Sequence, residues 1–119
     1  MIINLDYTSR VPIYEQIVNE IEKYVALGIL KEKEQILSIR ELASNLGINP
    51  NTVKKAYSIL ENKKIIISIS TKGTFICENA SKVKEDTINT YISDIEKIIE
   101  KLNKLGLTKE EIIKRIKWK

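Results

Sequence analysis

The chain of 119 residues contains no histidine, which removes the commonest general base and the commonest metal ligand together. Cys77 is the one cysteine and no second ligand cluster accompanies it, so it reads as a filler at a strand end. Without a mate it forms no internal disulfide, in keeping with a reducing compartment. Adjacent carboxylates occur at Glu110 and Glu111, but they stand at a helix start, where acidic side chains complement the dipole. No nucleophile is paired with a base, so an enzyme is not expected and no cofactor or metal is implied. The basic side chains remain. The formal net charge is +4, and between Asn49 and Lys72 stand Lys54, Lys55, Lys63, Lys64 and Lys72 against Glu61 alone. This segment carries an excess equal to that of the whole chain, and a cationic stretch suits a polyanionic partner such as nucleic acid.

These residues need a scaffold, and the length allows about one domain with a small appendage, leaving no place for a large catalytic or ligand-binding domain. A hydrophobic share of 43% is too high for a disordered tail, so the chain is expected to fold. No stretch approaches the roughly 18–20 uncharged apolar residues of a membrane span, and the start MIINLDYTSR lacks the pattern of a signal peptide. The expectation is a cytoplasmic protein without a membrane partner.

After a short extended start, Ile13, Ile17, Ile21, Tyr24 and Val25 recur with the period of an amphipathic helix. Pro12 suits its first position and Gly28 its end, so the first helix is expected from Pro12 to Leu27. A charged connector, KEKEQ, leads to Ser38. Ser38 and Glu41 form a capping-box pattern ahead of Ile39, Leu42 and Leu46, and Gly47 ends this second helix. Asn49 and Pro50 open a third, whose inner face is Val53, Ala56, Tyr57 and Leu60. Two short helices parted by Gly47 and Ile48, with small Ala43 where they must cross closely, have the form of a helix-turn-helix. Downstream, IIISIS and KGTFI read as two strands joined at Thr71, Lys72 and Gly73, a hairpin that would serve as a wing.

From about Ser81 the pattern changes. Ile88, Ile92, Ile95, Ile99 and Leu102 form one stripe of a long helix, thickened by Tyr91, Ile98 and Leu105 and closed at Gly106. Thr108 and Glu111 make another capping box, opening a last helix through Ile112, Ile113, Ile116 and Trp118. Two lone helices have more apolar surface here than they can hide from water, so the tail is expected to pair with a second copy. The expected division is 1–78 for the winged unit and 79–119 for the tail. The expected dimer contacts are Ile88, Tyr91, Ile92, Ile95, Ile99 and Leu102.

The segments VPIYEQIVNEI, SIRELASNLGINPNTVKKAYSILE and TKGTFI together resemble the GntR family of winged-helix regulators, over essentially the whole chain. The short two-helix tail resembles that of its YtrA subfamily. The resemblance implies a DNA-contacting set of Ser38, Arg40, Asn49, Asn51, Thr52, Lys54 and Lys55, with Lys72 and Gly73 in the wing, and it brings Tyr14 near a phosphate. Physical chemistry agrees: Arg40 offers a planar fork to a guanine edge or a phosphate, and Asn51 and Thr52 stand at a helix N-terminus that attracts anions. Asn49 is equally a helix cap, and Tyr57 falls on the inner face. The sequence departs from the family where relatives carry Leu-Pro-Ser, having Ile36, Leu37 and Ser38 instead. It departs again in the wing, where arginines and paired glycines give way to Ile69, Ser70, Thr71 and Gly73, leaving Lys72 as the basic candidate.

The expected fold is mainly α: a winged helix-turn-helix with a small β hairpin plus a C-terminal two-helix dimerisation tail. The expected function is sequence-specific transcription control, by repression, as a homodimer on a double-stranded DNA operator with two-fold symmetry. Whether a small-molecule effector exists is open. A protein-interaction module would favour acidic or apolar residues where Arg40, Asn51, Thr52 and Lys54 stand. A membrane-surface role for Lys114, Arg115, Lys117, Trp118 and Lys119 competes with plain solvation of the tail.

Overall fold

The computed structural model describes residues 2–118, apart from the side chains of residues 81, 83 and 84; Met1 and Lys119 lie outside it. Five helices and three short strands follow in the order α1 (Ile13–Ala26), β1 (Gln35–Ile36), α2 (Ile39–Leu46), α3 (Pro50–Asn62), β2 (Ile66–Ile69), β3 (Gly73–Ile76), α4 (Ala80–Lys104) and α5 (Lys109–Arg115). Two compact units result, one of residues up to Lys84 and one from Glu85 onward. The division falls inside α4, some residues beyond 78/79, because Ala80 is fully buried and belongs to the core of the first unit.

In the first unit the expected faces turn inward: Ile17 and Ile21 of α1, Leu42 and Ala43 of α2, and Val53, Ala56, Tyr57 and Leu60 of α3 are buried, Ile13, Tyr24, Val25, Ile39 and Leu46 are half-buried, and Val18, not on the expected stripe, is buried as well. They close on Ile36, Ile66 and Ile76 of the strands and on Ile65 and Leu30 of the connections. The extended start is tied down as well. Ile3 is buried, the Tyr24 hydroxyl donates to the Ile2 carbonyl, and the Gln16 amide donates to the carbonyls of Asp6 and Val11 at 2.9 Å. Among the described residues no buried side-chain nitrogen or oxygen lacks a hydrogen-bond partner, as a well-specified core requires.

Three details differ from the sequence reading. Pro12 is the residue before α1 and not its first member: its ψ of 149° is extended, the state of an N-cap, while its carbonyl accepts from the Gln16 N–H. The expected β2–β3 hairpin is present, and Gln35 and Ile36, expected in the connector or as the approach to α2, add a third strand to it. The sheet order is β1-β3-β2, both pairings antiparallel, with Gln35 opposite Phe75 and Ile36 opposite Thr74. Two residues show no alternation to read, and this strand exists because β3 offers it an edge. Finally, α5 stops at Arg115, and Ile116 beyond it is extended at ψ 129°. The Trp118 indole N–H donates back to the Ile113 carbonyl at 3.3 Å.

In the second unit, α4 is closed by Gly106 with φ +95°, and the Thr108–Glu111 capping box opens α5, whose Ile112 is buried. Among the described residues no helix is long and apolar enough to cross a membrane.

Candidate nucleic-acid interface

Of the expected DNA-facing residues, Ser38 and Arg40 stand at the start of α2, Asn49, Asn51, Thr52, Lys54 and Lys55 in the first half of α3 or at its cap, and Lys72 and Gly73 at the wing turn. The Ser38 hydroxyl accepts from the Glu41 N–H at 3.1 Å, and the Glu41 carboxylate accepts from the Ser38 N–H at 3.0 Å. The Ser38 N–H, followed by the Ser38 side chain, holds the Glu41 carboxyl below the usual carboxylate range. Ser38 is therefore engaged as a cap, while Arg40, two residues on, is exposed. At α3 the Asn49 side chain accepts from the Asn51 N–H at 2.8 Å and its carbonyl from the Thr52 N–H at 3.0 Å. Asn49 is thus a cap in fact. Gly47 makes the turn between the helices possible, at φ +67° in the left-handed region that L side chains avoid.

Beyond its cap, α3 is two-sided. Val53, Ala56, Tyr57 and Leu60 face the core, Thr52 is half-buried, and Asn51, Lys54, Lys55 and Ser58 are exposed. Positions 51, 54, 55 and 58 have the spacing of one helix face, so the exposed side chains line a continuous polar and cationic strip. Ser58 extends the strip past the residues singled out from sequence. Tyr57 steadies the arrangement from inside, because its hydroxyl donates to the Leu37 carbonyl at 2.6 Å, tying α3 to the segment that enters α2. Burial, followed by the nearby Glu41 charge, pushes the phenol far above its ordinary range, so it remains a neutral donor.

The wing turn is built around Thr71 and Gly73. Thr71 has φ +65°, an uncommon state for a β-branched residue, and the Lys72 N–H closes the turn onto the Ile69 carbonyl at 3.0 Å. Gly73 has φ +127°, and a Cβ there would stand 2.5 Å from the Gln35 side-chain nitrogen. The same Gln35 amide donates to the Lys72 carbonyl at 3.3 Å. Gln35 thereby anchors the turn that carries the exposed Lys72. Its partner lies 37 residues away in sequence, so no local pattern announces it.

Lys55 of α3 and Lys63, the residue that caps its end, reach back to α1. Lys55 Nζ lies 4.0 Å from the centroid of the Tyr14 ring, a cation–π contact. Lys63 Nζ lies 2.6 Å from the Glu22 carboxylate. The second bridge removes one cation from the basic segment, because the Lys63 charge is balanced within the fold. Cys77, packed at the end of β3, has its thiol pushed up by burial and then by Glu61, which makes it a poor nucleophile.

In the second unit the apolar stripe of α4 is uncovered over much of its length. Ile88, Tyr91, Ile92 and Ile95 are exposed, and Ile99 and Leu102 are half-buried. Ile98 and Leu105, which flank the stripe, are exposed too.

Comparison with known proteins gives this arrangement its context. The family model for bacterial regulatory proteins of the gntR family matches residues 13–76, from the start of α1 to the end of β3. The HTH-type transcriptional repressor YtrA of Bacillus subtilis (strain 168) is 36% identical over 116 residues, spanning 97% of this chain and 89% of the relative. A crystal structure of a transcriptional regulator from Oenococcus oeni is 41% identical, with a TM-score of 0.75 over 92% of each chain. The AraR DNA-binding domain in complex with operator ORR3 is 26% identical, with a TM-score of 0.54 over 62% of this chain and 89% of that one. The likeness to YtrA runs through the tail as well as the winged unit, and the matched relatives are regulators, not enzymes. The chain belongs to the gntR family of bacterial regulatory proteins, with a YtrA-like tail, and is a DNA-binding transcription regulator.

Proposed function

We propose that the chain is a cytoplasmic repressor that acts as a homodimer on a two-fold symmetric operator. The observation that carries the dimer is the α4 stripe, where Ile88, Tyr91, Ile92 and Ile95 leave 41–57% of their surface exposed in the single chain. Burying one such side chain contributes about 1.5–3 kcal/mol, so several on one helix face strongly favour association. In this reading Ile99 and Leu102 complete the seam, and residues from Glu85 onward are the dimerisation unit. YtrA, similar along nearly the whole chain, carries the description of a repressor.

DNA contact is assigned to the exposed strip of α3 and the start of α2. Arg40 reads a base edge or clamps a phosphate, Asn51 and Thr52 meet the duplex at the α3 N-terminus, and Lys54 and Lys55 neutralise phosphates. Ser38 and Asn49 contribute through the caps that set the two helices, and Lys72 and Gly73 bring the wing turn beside the duplex. The AraR domain, of the same fold, is seen bound to an operator. Two recognition helices set by the dimer would lie on major-groove faces separated by turns of the duplex and would obstruct polymerase.

The test is a fluorescence titration, at several salt concentrations, against an operator fragment that the protein selects from its host genome. Arg40→Ala should cost about 1–3 kcal/mol and relax sequence preference, whereas Lys54→Ala should lower the salt slope by roughly 1. If both variants bind as the parent does, the assignment of this face to DNA is wrong.

A further inference from the structure

The seam between α1 and α3 holds two lysines by different means. Lys63 meets the Glu22 carboxylate at 2.6 Å, and about two turns earlier along both helices Lys55 meets the Tyr14 ring at 4.0 Å. A carboxylate cancels the charge it holds. An aromatic ring does not: its quadrupole attracts the ammonium, yet the ring is neutral and the full positive charge persists. Lys55 lies on the exposed strip with Asn51 and Lys54, one turn after Asn51, while Tyr14 is half-buried and packed against the core. A long, flexible lysine is thus held by a ring that is itself fixed, on the face assigned to DNA, with its charge unspent.

We propose that Tyr14 is a positioning residue for DNA binding, whose ring holds the Lys55 ammonium ready for a backbone phosphate. This proposal rests on the reading of the α3 strip as the DNA face. The benefit is preorganisation: side-chain freedom that a free lysine would lose on binding is already lost in the unbound protein. The contact is to a phosphate, so it should raise affinity for every duplex and leave sequence preference unchanged.

The experiment is a set of titrations on the full chain with two probes, the genome-selected operator fragment and a duplex of unrelated sequence, each at several salt concentrations. Tyr14→Phe keeps the ring and should bind both within about twofold of the parent. Tyr14→Leu should lose about two- to fivefold on both, the size of an exposed cation–π contact. Lys55→Ala should lose at least as much with a salt slope lower by roughly 1, and Tyr14→Leu should then have no further effect in the Lys55→Ala background. Circular dichroism checks folding, and should Tyr14→Leu not fold, Tyr14→Trp takes its place and should bind at least as well as the parent.

A loss with Tyr14→Phe equal to that with Tyr14→Leu would overturn the proposal, since the hydroxyl and not the ring would then matter. Independent, multiplying losses for Tyr14→Leu and Lys55→Ala would overturn it too, as would weaker binding by Tyr14→Trp where that variant is used. Arg40→Ala and Lys54→Ala run alongside to separate the two levels. If they bind normally the DNA face lies elsewhere, whereas normal binding by Lys55→Ala alone defeats only the role of Tyr14.

Discussion

Along α3 the apolar side chains of Val53, Ala56, Tyr57 and Leu60 are at most 1% exposed, whereas along α4 those of Ile88, Tyr91, Ile92, Ile95 and Ile98 are 41–57% exposed. Both helices carry their apolar residues at spacings of three and four, so the period alone does not account for the difference. What differs is the supply of partners. The inner face of α3 meets α1, α2 and the sheet within its own unit, and the buried residues of these elements form one cluster. Among its described residues the second unit offers the part of α4 from Glu85 onward, the short α5 and their connection. An amphipathic stripe is therefore a demand for burial, and the rest of the chain decides whether that demand is met internally or by association.

The largest expected effect comes from breaking the stripe that is unmet. Ile95→Lys combined with Ile99→Lys places two charges in the proposed seam, and sedimentation should then report a monomer with an unchanged circular dichroism spectrum. Affinity for the full operator should fall about 10²–10⁴-fold as the second binding event ceases to be intramolecular, while weak half-site binding survives. A variant that stays dimeric would move the seam, and α5 with its exposed Ile113 would be the next place to look.

The same kind of change on the met stripe should act on the fold instead. Leu60→Ala removes a fully buried side chain of α3, and chemical denaturation should show a loss of about 2–5 kcal/mol. If Leu60→Ala left stability unchanged while altering only oligomeric state, the contrast between the two helices would collapse. The smallest effect is expected at the wing, where Lys72→Ala should weaken binding by no more than about tenfold, ~1.4 kcal/mol, because one exposed lysine neutralises at most one phosphate. A hundredfold loss would show that the wing, anchored by Gln35, matters as much as the α3 strip.

Much of the local structure of both units is legible in the amino-acid order because its signals are local. The capping boxes of Ser38–Glu41 and Thr108–Glu111, the Asn49 cap and the left-handed glycines 28, 47 and 106 each act within a few residues, and each is found where the pattern puts it. Apolar period placed the cores of α1, α2 and α3, and it separated Tyr57, which is buried, from Lys54 and Lys55, which are not. That Asn51, Lys54 and Lys55 face out was readable for the same reason, since on a short amphipathic helix the residues off the apolar stripe face out, while their meeting with DNA is what the family resemblance implies.

Other features were settled only when the chain closed on itself. Gln35 and Ile36 become a strand because β3, about 40 residues later, presents an unpaired edge, and that pairing is what sets Gln35 against the wing turn. The five lysines between Asn49 and Lys72 are equivalent in a charge count, yet the fold pairs Lys63 with Glu22, lays Lys55 on Tyr14 and carries Lys72 on the wing turn. The amino-acid order by itself determined the helices, their caps and their inner faces, since backbone hydrogen bonding and side-chain period are properties of neighbouring residues. Tertiary structure alone decided which cations keep their charge available, because the ring or carboxylate that receives each one arrives from a distant part of the chain.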